Sequence, residues 1–204
     1  GITVLMDQWG GKRLNSPNDV VIKSDGSVWF TDPPFGILGN YEGHKAASEV
    51  AQAVYRIDGD SGEATVVTDD ALGPNGLCFS PDESILYVVE SRGEPNRKIL
   101  AFDVGPDGRT LRNKRVHIDA GPGGTPDGMR CDIDGNLWCG WGMGTADLDG
   151  VLIFAPDGTK IGRIALPERC ANVCFGGPKR NRLFMAASQS LYALYVNTQG
   201  VAGG

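Results

Sequence analysis

The sequence repeats one short motif four times, and this internal repetition limits the folds open to the chain more than any other feature. Each copy has an Asn or Asp just before an apolar run, followed by a turn and a second apolar run. The four starts read Ser16-Pro17-Asn18-Asp19-Val20-Val21, Gly73-Pro74-Asn75-Gly76-Leu77-Cys78, Thr125-Pro126-Asp127-Gly128-Met129-Arg130 and Cys170-Ala171-Asn172-Val173-Cys174-Phe175. Short alternating runs bounded by turn residues indicate that every copy begins as a β-hairpin.

The first three copies continue into a third and a fourth apolar run, whereas the last copy has only a third. The third runs are Val54–Ile57, Ile99–Phe102, Val151–Phe154 and Leu191–Leu194, and the fourth runs are Thr65–Val67, Arg115–Ile118 and Ile161–Ile164. Positions 18, 75, 127 and 172 recur at intervals of roughly fifty residues, which is the length of a propeller blade. Four antiparallel strands per unit therefore predict an all-β propeller with about four blades in this chain.

Residues 1–204 are expected to form a single, partial propeller domain. The segment Ile2-Thr3-Val4-Leu5 is typical of the outer strand of an earlier blade, and the last copy ends without a fourth strand. A propeller normally closes into a ring, because closure removes exposed sheet edges. We therefore expect an amino-terminal portion to precede these four blades.

The motif also predicts a polar site at the propeller axis. The first strand of each blade lines the central channel, so Asn18, Asn75, Asp127 and Asn172 are expected to form a ring. Amide and carboxylate oxygens are hard ligands that suit calcium, magnesium or manganese, with zinc less favoured. Asn, Asp and Gly after proline are also ordinary turn formers, and a purely structural role is the alternative.

Composition and charge argue against two classes of binding partner, nucleic acids and membranes. A net charge of −6, with basic residues scattered along the chain, gives no electrostatic footprint for nucleic acid or for an anionic membrane. The longest apolar runs are far too short to span a bilayer, so we expect no membrane partner. Five cysteines, an odd number, favour buried thiols in a reducing compartment. We expect a cytoplasmic protein, or a periplasmic one if a signal peptide lies upstream.

Several spaced motifs together resemble one known family over essentially the whole chain. The segments Leu14–Val21, Trp29–Pro33, Pro74–Leu77 and Pro126–Met129 are similar to the signatures of the senescence marker protein, gluconolactonase and luciferin-regenerating enzyme family, and most similar to bacterial gluconolactonases. The resemblance implies a six-bladed propeller with one catalytic divalent cation, most often Ca²⁺. It also implies a lactone substrate and the hydrolysis of a ring ester.

The resemblance further implies site residues. The family holds its cation with a Glu from its first blade, an Asn at the position of Asn75 and an Asp at the position of Asp127. Asn18 matches an Asn that lies at the metal or contacts substrate through water. The Glu has no counterpart here, because the first blade and most of the second blade of the family are absent from these residues.

A mechanism follows as a hypothesis. The cation would polarise the lactone carbonyl while Asp127 accepts a proton from the attacking water. A carboxylate that binds a cation is a weak base, so activation of the water by the cation itself stays open. Arg92, after the second strand of the second copy, is a candidate for binding substrate hydroxyls or a carboxylate, and a surface salt bridge is its alternative. Glu42 is a second candidate substrate-binding residue, in the long insertion of residues 35–51, which is placed to lid the channel mouth.

Three other functions stay open. The same scaffold and cation would serve a phosphotriesterase-like hydrolase, and a propeller can also act as a non-catalytic binding module. An open propeller can self-associate through its unpaired edges. Ser-His-Asp catalysis finds no support, since the sequence contains no G-x-S-x-G elbow.

Overall fold

The computed structural model describes residues 1–202, whose strands from β3 onward form four antiparallel sheets. Blade I has the strand order β3-β4-β5-β6, blade II β7-β8-β9-β10, blade III β11-β12-β13-β14 and blade IV β15-β16-β17. A short hairpin, β1 and β2, precedes them. The strands are β1 Gln8–Trp9, β2 Lys12–Arg13, β3 Val20–Ile22, β4 Val28–Asp32, β5 Ala53–Ile57, β6 Ala64–Thr68, β7 Pro74–Phe79, β8 Ile85–Glu90, β9 Lys98–Val104, β10 Leu111–Asp119, β11 Pro126–Cys131, β12 Leu137–Trp141, β13 Gly150–Phe154, β14 Lys160–Ala165, β15 Cys170–Gly176, β16 Arg182–Ala187 and β17 Leu191–Tyr195.

This arrangement confirms the prediction of an all-β propeller with four blades. Each predicted run of the repeat lies in a strand of the expected blade, and blade IV has three strands, as its sequence predicts. The single helical element is a 3₁₀ turn at Phe35–Ile37, so no helix among the described residues is long enough to cross a membrane. Self-association stays a prediction.

The outer strands are more exposed than the middle strands. Strand β14 has exposed side chains at every second position through its later half, and β10 has five consecutive exposed residues. Strands β5 and β12 are buried along their whole length. The buried side chains form three clusters, the largest of which joins blades I, II and III, while a second joins blades III and IV.

Two tryptophans hold neighbouring blades together at equivalent positions. Trp29 in β4 meets Phe79 of blade II edge to face at 5.2 Å, and Trp138 in β12 meets Phe175 of blade IV in the same way at 5.5 Å. Both tryptophans are buried, and both indole N–H groups donate a hydrogen bond within their own blade. The two tryptophans therefore have the same packing role between blades.

The inner strands approach one another closely at the Asn/Asp motif. A methyl group on Gly76 would collide with the carbonyl oxygen of Asp127 and lie 2.8 Å from the Cα of Gly128. A methyl group on Gly128 would collide with the side chain of Asn172. Glycine after the motif residue therefore lets successive inner strands meet at the axis, which turn chemistry alone does not require.

One expected strand is absent. Residues Ile2–Leu5 form no strand within the described chain, and Ile2 and Val4 are largely exposed. A strand exists only when a neighbouring strand bonds to it, and no described segment pairs with these residues. The apolar character of the segment predicts a strand, but a strand forms only beside a partner strand, and the described chain supplies none for these residues.

The cysteines follow the predicted pattern. Cys78, Cys131, Cys139 and Cys170 are buried, Cys174 is exposed, and all five are free. No group of three His, Cys, Asp or Glu side chains in residues 1–202 is arranged to hold a metal ion.

Replacing Gly76 with alanine should destabilise the propeller, because the added methyl group forces β7 and β11 apart. Overpacking of this kind costs roughly 1–3 kcal/mol, which corresponds to a fall of several degrees in Tm. Gly39→Ala is the matched control, since a methyl group there meets no atom within 4 Å. Thermal unfolding followed by circular dichroism measures both variants. Equal Tm values for the two would contradict the close approach of the inner strands.

Candidate functional site

A cavity of about 770 Å³ opens at the end of the propeller where the inner strands begin. The residues proposed from sequence as metal or substrate contacts, Asn18, Asn75, Asp127, Arg92 and Glu42, all line it. They come from four separate segments of blade I and blade II and from the start of β11, so only the fold brings them together. Their individual roles stay predictions.

Asn172 is the one member of the predicted four-residue ring that does not line this cavity. Its side chain packs against Gly128, and its Oδ1 accepts a hydrogen bond from the backbone N–H of Val173 at 2.8 Å. The ring interpretation is therefore wrong for this position. The repeat places Asn172 at the same level as the other three motif residues. Its side chain, however, packs against Gly128 of the neighbouring inner strand and does not line the cavity.

Asn75 has an unpaired acceptor. Its Nδ2 donates to the hydroxyl oxygen of Ser91 at 3.2 Å, whereas its Oδ1 is buried with no hydrogen-bond partner among residues 1–202. A buried polar atom without a partner costs free energy, and such atoms in native proteins commonly contact a ligand, an ion or water. The amide also donates a hydrogen bond to the carboxylate of Asp127, so Ser91 and Asp127 together fix its orientation.

Asp127 lies at the start of β11 and is half-buried. Burial raises the pKa of its carboxyl group to about 6, and the nearby Asp19 carboxylate also raises it. The positive charge of Arg169 and hydrogen bonds from Gly128 and Asn75 oppose this rise. Asp127 is thus ionised at neutral pH but is held in surroundings that favour compensation by a positive charge.

Asp19 and Arg130 support the site from below. Asp19 is buried, and its Oδ2 lies 3.6 Å from a guanidinium nitrogen of Arg130. Arg130 also donates to the carbonyl of Met129 at 2.6 Å, and the backbone N–H of Leu77 points to Asp19 at 3.4 Å. One ion pair therefore contacts the inner strands of blades I, II and III just beneath the motif residues.

Asn18 is positioned by a buried carboxylate in the neighbouring strand. Asp32 accepts hydrogen bonds from the backbone N–H groups of Asn15 and Ser16 at 2.9 and 2.7 Å. The backbone N–H of Asn18 then donates to the carbonyl of Thr31 at 2.9 Å. These bonds hold the segment before β3 in place, and the exposed side chain of Asn18 borders the cavity.

The insertion of residues 35–51 borders the cavity through Phe35, Leu38, Tyr41 and Glu42. Tyr41 is almost fully exposed at 99%. This places the insertion at the channel mouth, as predicted, and its closure over a ligand stays a prediction. Arg92 forms no ion pair within 4.0 Å among the described residues, so the salt-bridge alternative for it is not supported.

Sequence reasoning missed three further cavity residues, Ser91, Arg97 and Arg169. All three lie in segments that join strands at the same end of the sheets as the motif residues. The signal that could have found them is their position directly after β8, before β9 and before β15. Because these loops belong to different copies of the repeat, spacing along the chain does not show that they share one cavity.

Comparison with known proteins identifies one family and several relatives of this chain. The family model "SMP-30/Gluconolactonase/LRE-like region" matches residues 1–189. The gluconolactonase of Zymomonas mobilis is 38% identical over 205 residues, which cover 97% of this chain and 55% of that protein. The structure of a gluconolactonase from Xanthomonas campestris matches with a TM-score of 0.83 and 39% identity, over 94% of this chain and 60% of that one.

A calcium-binding protein, regucalcin from Agrobacterium tumefaciens, has the same fold, with a TM-score of 0.70 at 22% identity over 90% of this chain and 62% of that one. The chain therefore spans 55 to 62% of these three proteins, a share that agrees with four blades of a six-bladed ring. The family match covers every strand of blades I to III, the first two strands of blade IV and every residue that lines the cavity. The chain belongs to the SMP-30, gluconolactonase and luciferin-regenerating enzyme family.

Proposed function

We propose that this protein hydrolyses sugar lactones, such as aldonolactones, in the central cavity with one bound divalent cation. The observation that carries the proposal is that Asn75, whose Oδ1 is buried and unpaired among residues 1–202, donates a hydrogen bond to Asp127 on the wall of the same cavity. The cavity volume of about 770 Å³ accommodates a sugar ring. The gluconolactonases among the similar proteins support the same reaction class.

The oxygen atoms on the cavity wall fit a hard cation. Asn75, Asp127 and Asn18 would hold it, and such amide and carboxylate oxygens favour Ca²⁺, with Mg²⁺ and Mn²⁺ as related choices. Zn²⁺ fits less well, because it prefers nitrogen and sulfur ligands. The described residues offer no cluster of three His, Cys, Asp or Glu, so amide oxygens are essential to this ligand set. The fold shared with the calcium-binding regucalcin supports Ca²⁺.

A bound cation would polarise the lactone carbonyl and stabilise the negative charge that develops on its oxygen when water attacks. The Asp127 carboxylate would accept the proton of that water, with activation of the water by the cation as the alternative, because a carboxylate that binds a cation is a weak base. Ser91 keeps the Asn75 amide oriented toward the cavity. Arg92 and Glu42 at the rim would donate to and accept from the sugar hydroxyls.

Asp127→Asn should lower lactone turnover by about a hundredfold or more, the usual contribution of a positioned acid or base. The substitution removes both the proton acceptor and a charged ligand while it keeps the size of the side chain. Asp69→Asn, in an exposed loop after β6, is the control and should leave turnover unchanged. Hydrolysis of glucono-1,5-lactone measures both, with circular dichroism to check folding. A folded Asp127→Asn variant with undiminished turnover would contradict the proposed role of Asp127 in the reaction.

Removal of divalent cations with EDTA should abolish lactone turnover, and Ca²⁺ should restore it. A binding module with a structural ion would instead lose mainly thermal stability, because the ion then acts only through its preference for the folded state.

A parallel assay with an organophosphate triester tests the phosphotriesterase-like alternative. Faster turnover of the triester than of the lactone would favour the phosphotriesterase-like function.

In the cation-free protein, Asp127→Asn should raise Tm at pH 8 and leave it unchanged near pH 3. The pKa of Asp127 in the folded protein, about 6, lies above the ordinary pKa of an aspartate, 3.8, so ionisation of this carboxyl group opposes folding. That effect grows as the pH rises between these two values and is complete above pH 6. Thermal unfolding in EDTA at several pH values measures it, with Asp69→Asn as the control. A Tm difference that is independent of pH would contradict the raised pKa.

A further inference from the structure

Three arginines, Arg92, Arg97 and Arg169, line the candidate site. In the part of the chain that the structure describes, none of them forms an ion pair within 4.0 Å. The protein as a whole carries a net charge of −6. In this cavity the three guanidinium groups outnumber the two carboxyl groups, Glu42 and Asp127, so its charge departs from that of the whole protein.

The side chain of Arg92 is held in place by the packing of its aliphatic carbons. Its Cγ occupies the space that a side chain at Gly73 would fill, at 2.7 Å from the position of a Cβ there. Its guanidinium lies 5.7 Å from the centre of the Phe35 ring, a cation–π contact with the insertion. The packing orients the group and leaves its N–H donors without a partner among residues 1–202.

Arg97 is tied to the residue that orients Asn75. Its Nε donates to the carbonyl oxygen of Ser91 at 3.1 Å, and the hydroxyl of Ser91 accepts from Asn75 at 3.2 Å. The terminal nitrogens of Arg97 make no other hydrogen bond within the described chain. Arg97 as a residue is half-buried and lines the cavity, where an anion would bind a positive charge more strongly than in bulk water.

Arg169 brings the positive charge close to the reacting groups. It precedes β15, and although burial raises the pKa of Asp127, the charge of Arg169 opposes that rise. Its side chain is exposed at the cavity wall, free of any ion pair in residues 1–202. The three guanidinium groups therefore belong to the same cavity as Asn75 and Asp127, although they come from the β8–β9 loop and from the start of blade IV.

We propose that this cavity selects lactones whose sugar carries an ionised acid group, a carboxylate or a phosphate, away from the lactone carbonyl. Arg92, Arg97 and Arg169 bind that group, because a guanidinium donates paired N–H groups that match two oxygens of a carboxylate or phosphate. A neutral sugar leaves these donors unpaired when it displaces water from the wall. The reaction in this inference rests on the lactonase function proposed above, whereas recognition of the anion does not.

The test compares kcat/KM for three lactones: neutral glucono-1,5-lactone, its 6-phosphate ester, and glucarolactone, which carries a carboxylate at the same end of the chain. The wild-type protein should prefer at least one anionic lactone by about tenfold or more, the usual effect of a charge-assisted hydrogen bond. The two anionic probes show whether carboxylate or phosphate is the better ligand. Equal kcat/KM for all three would overturn the proposal.

Arginine variants locate the effect. Arg97→Gln and Arg169→Gln should each lower the ratio of anionic to neutral kcat/KM by about tenfold, since each removes one charged donor pair. Arg112→Gln is the matched control, because Arg112 is an exposed arginine of β10 that does not line the cavity, and it should leave the ratio unchanged. Variants that lose turnover of neutral and anionic lactones equally would contradict a role in recognising the anion.

A binding measurement keeps the anion site testable if no lactone is hydrolysed, the result that would refute the proposed function. Titration calorimetry compares sorbitol 6-phosphate with sorbitol, and gluconate serves as the carboxylate probe. Tighter binding of either anion than of sorbitol, lost in Arg97→Gln and Arg169→Gln but not in Arg112→Gln, would support the site. Indistinguishable binding of all three would overturn it.

Discussion

Close packing of the inner strands at the propeller axis is the constraint on which the rest of the structure depends. Gly76 and Gly128 have no side chain, so β7 can lie against β11, and β11 against the Asn172 side chain of β15. Asn75 and Asp127 directly precede these glycines and are therefore held at one level. Trp29 and Trp138 fill the space between blades farther out, so the angle between neighbouring sheets is set by aromatic packing and the site level by glycine.

The electrostatics of the cavity follow from this packing. Asp127 is withdrawn from water by the strands around it, which raises the pKa of its carboxyl group, and the Asp19 carboxylate adds to the effect. The Asn75 oxygen is buried without a donor. Both groups lie in less favourable surroundings than they would have in the unfolded chain, and both would gain from a positive charge. Stability given up at a site of this kind commonly marks function.

The motif residues and the rim of the cavity lie in different parts of the blades. The motif residues sit at the ends of packed inner strands, whereas the insertion of residues 35–51, the β8–β9 loop and the segment before β15 supply the rim. Loops of this type vary more readily than strands, because few buried contacts depend on them. The proposed metal ligands thus rest on the rigid part of the fold, and the groups proposed to recognise the rest of the substrate rest on its connections.

The sequence by itself determined the blades, because alternating apolar runs between turns specify strands locally and a fifty-residue repeat specifies their grouping. It also placed Asn18, Asn75 and Asp127 in one register. Only the tertiary structure decided that Ile2–Leu5 lacks a pairing partner, that Asn172 packs against Gly128, and that Arg97 and Arg169 share a cavity with Asp127. Each of these outcomes depends on contacts between different blades, and a local pattern carries no information about which distant segment will lie beside it.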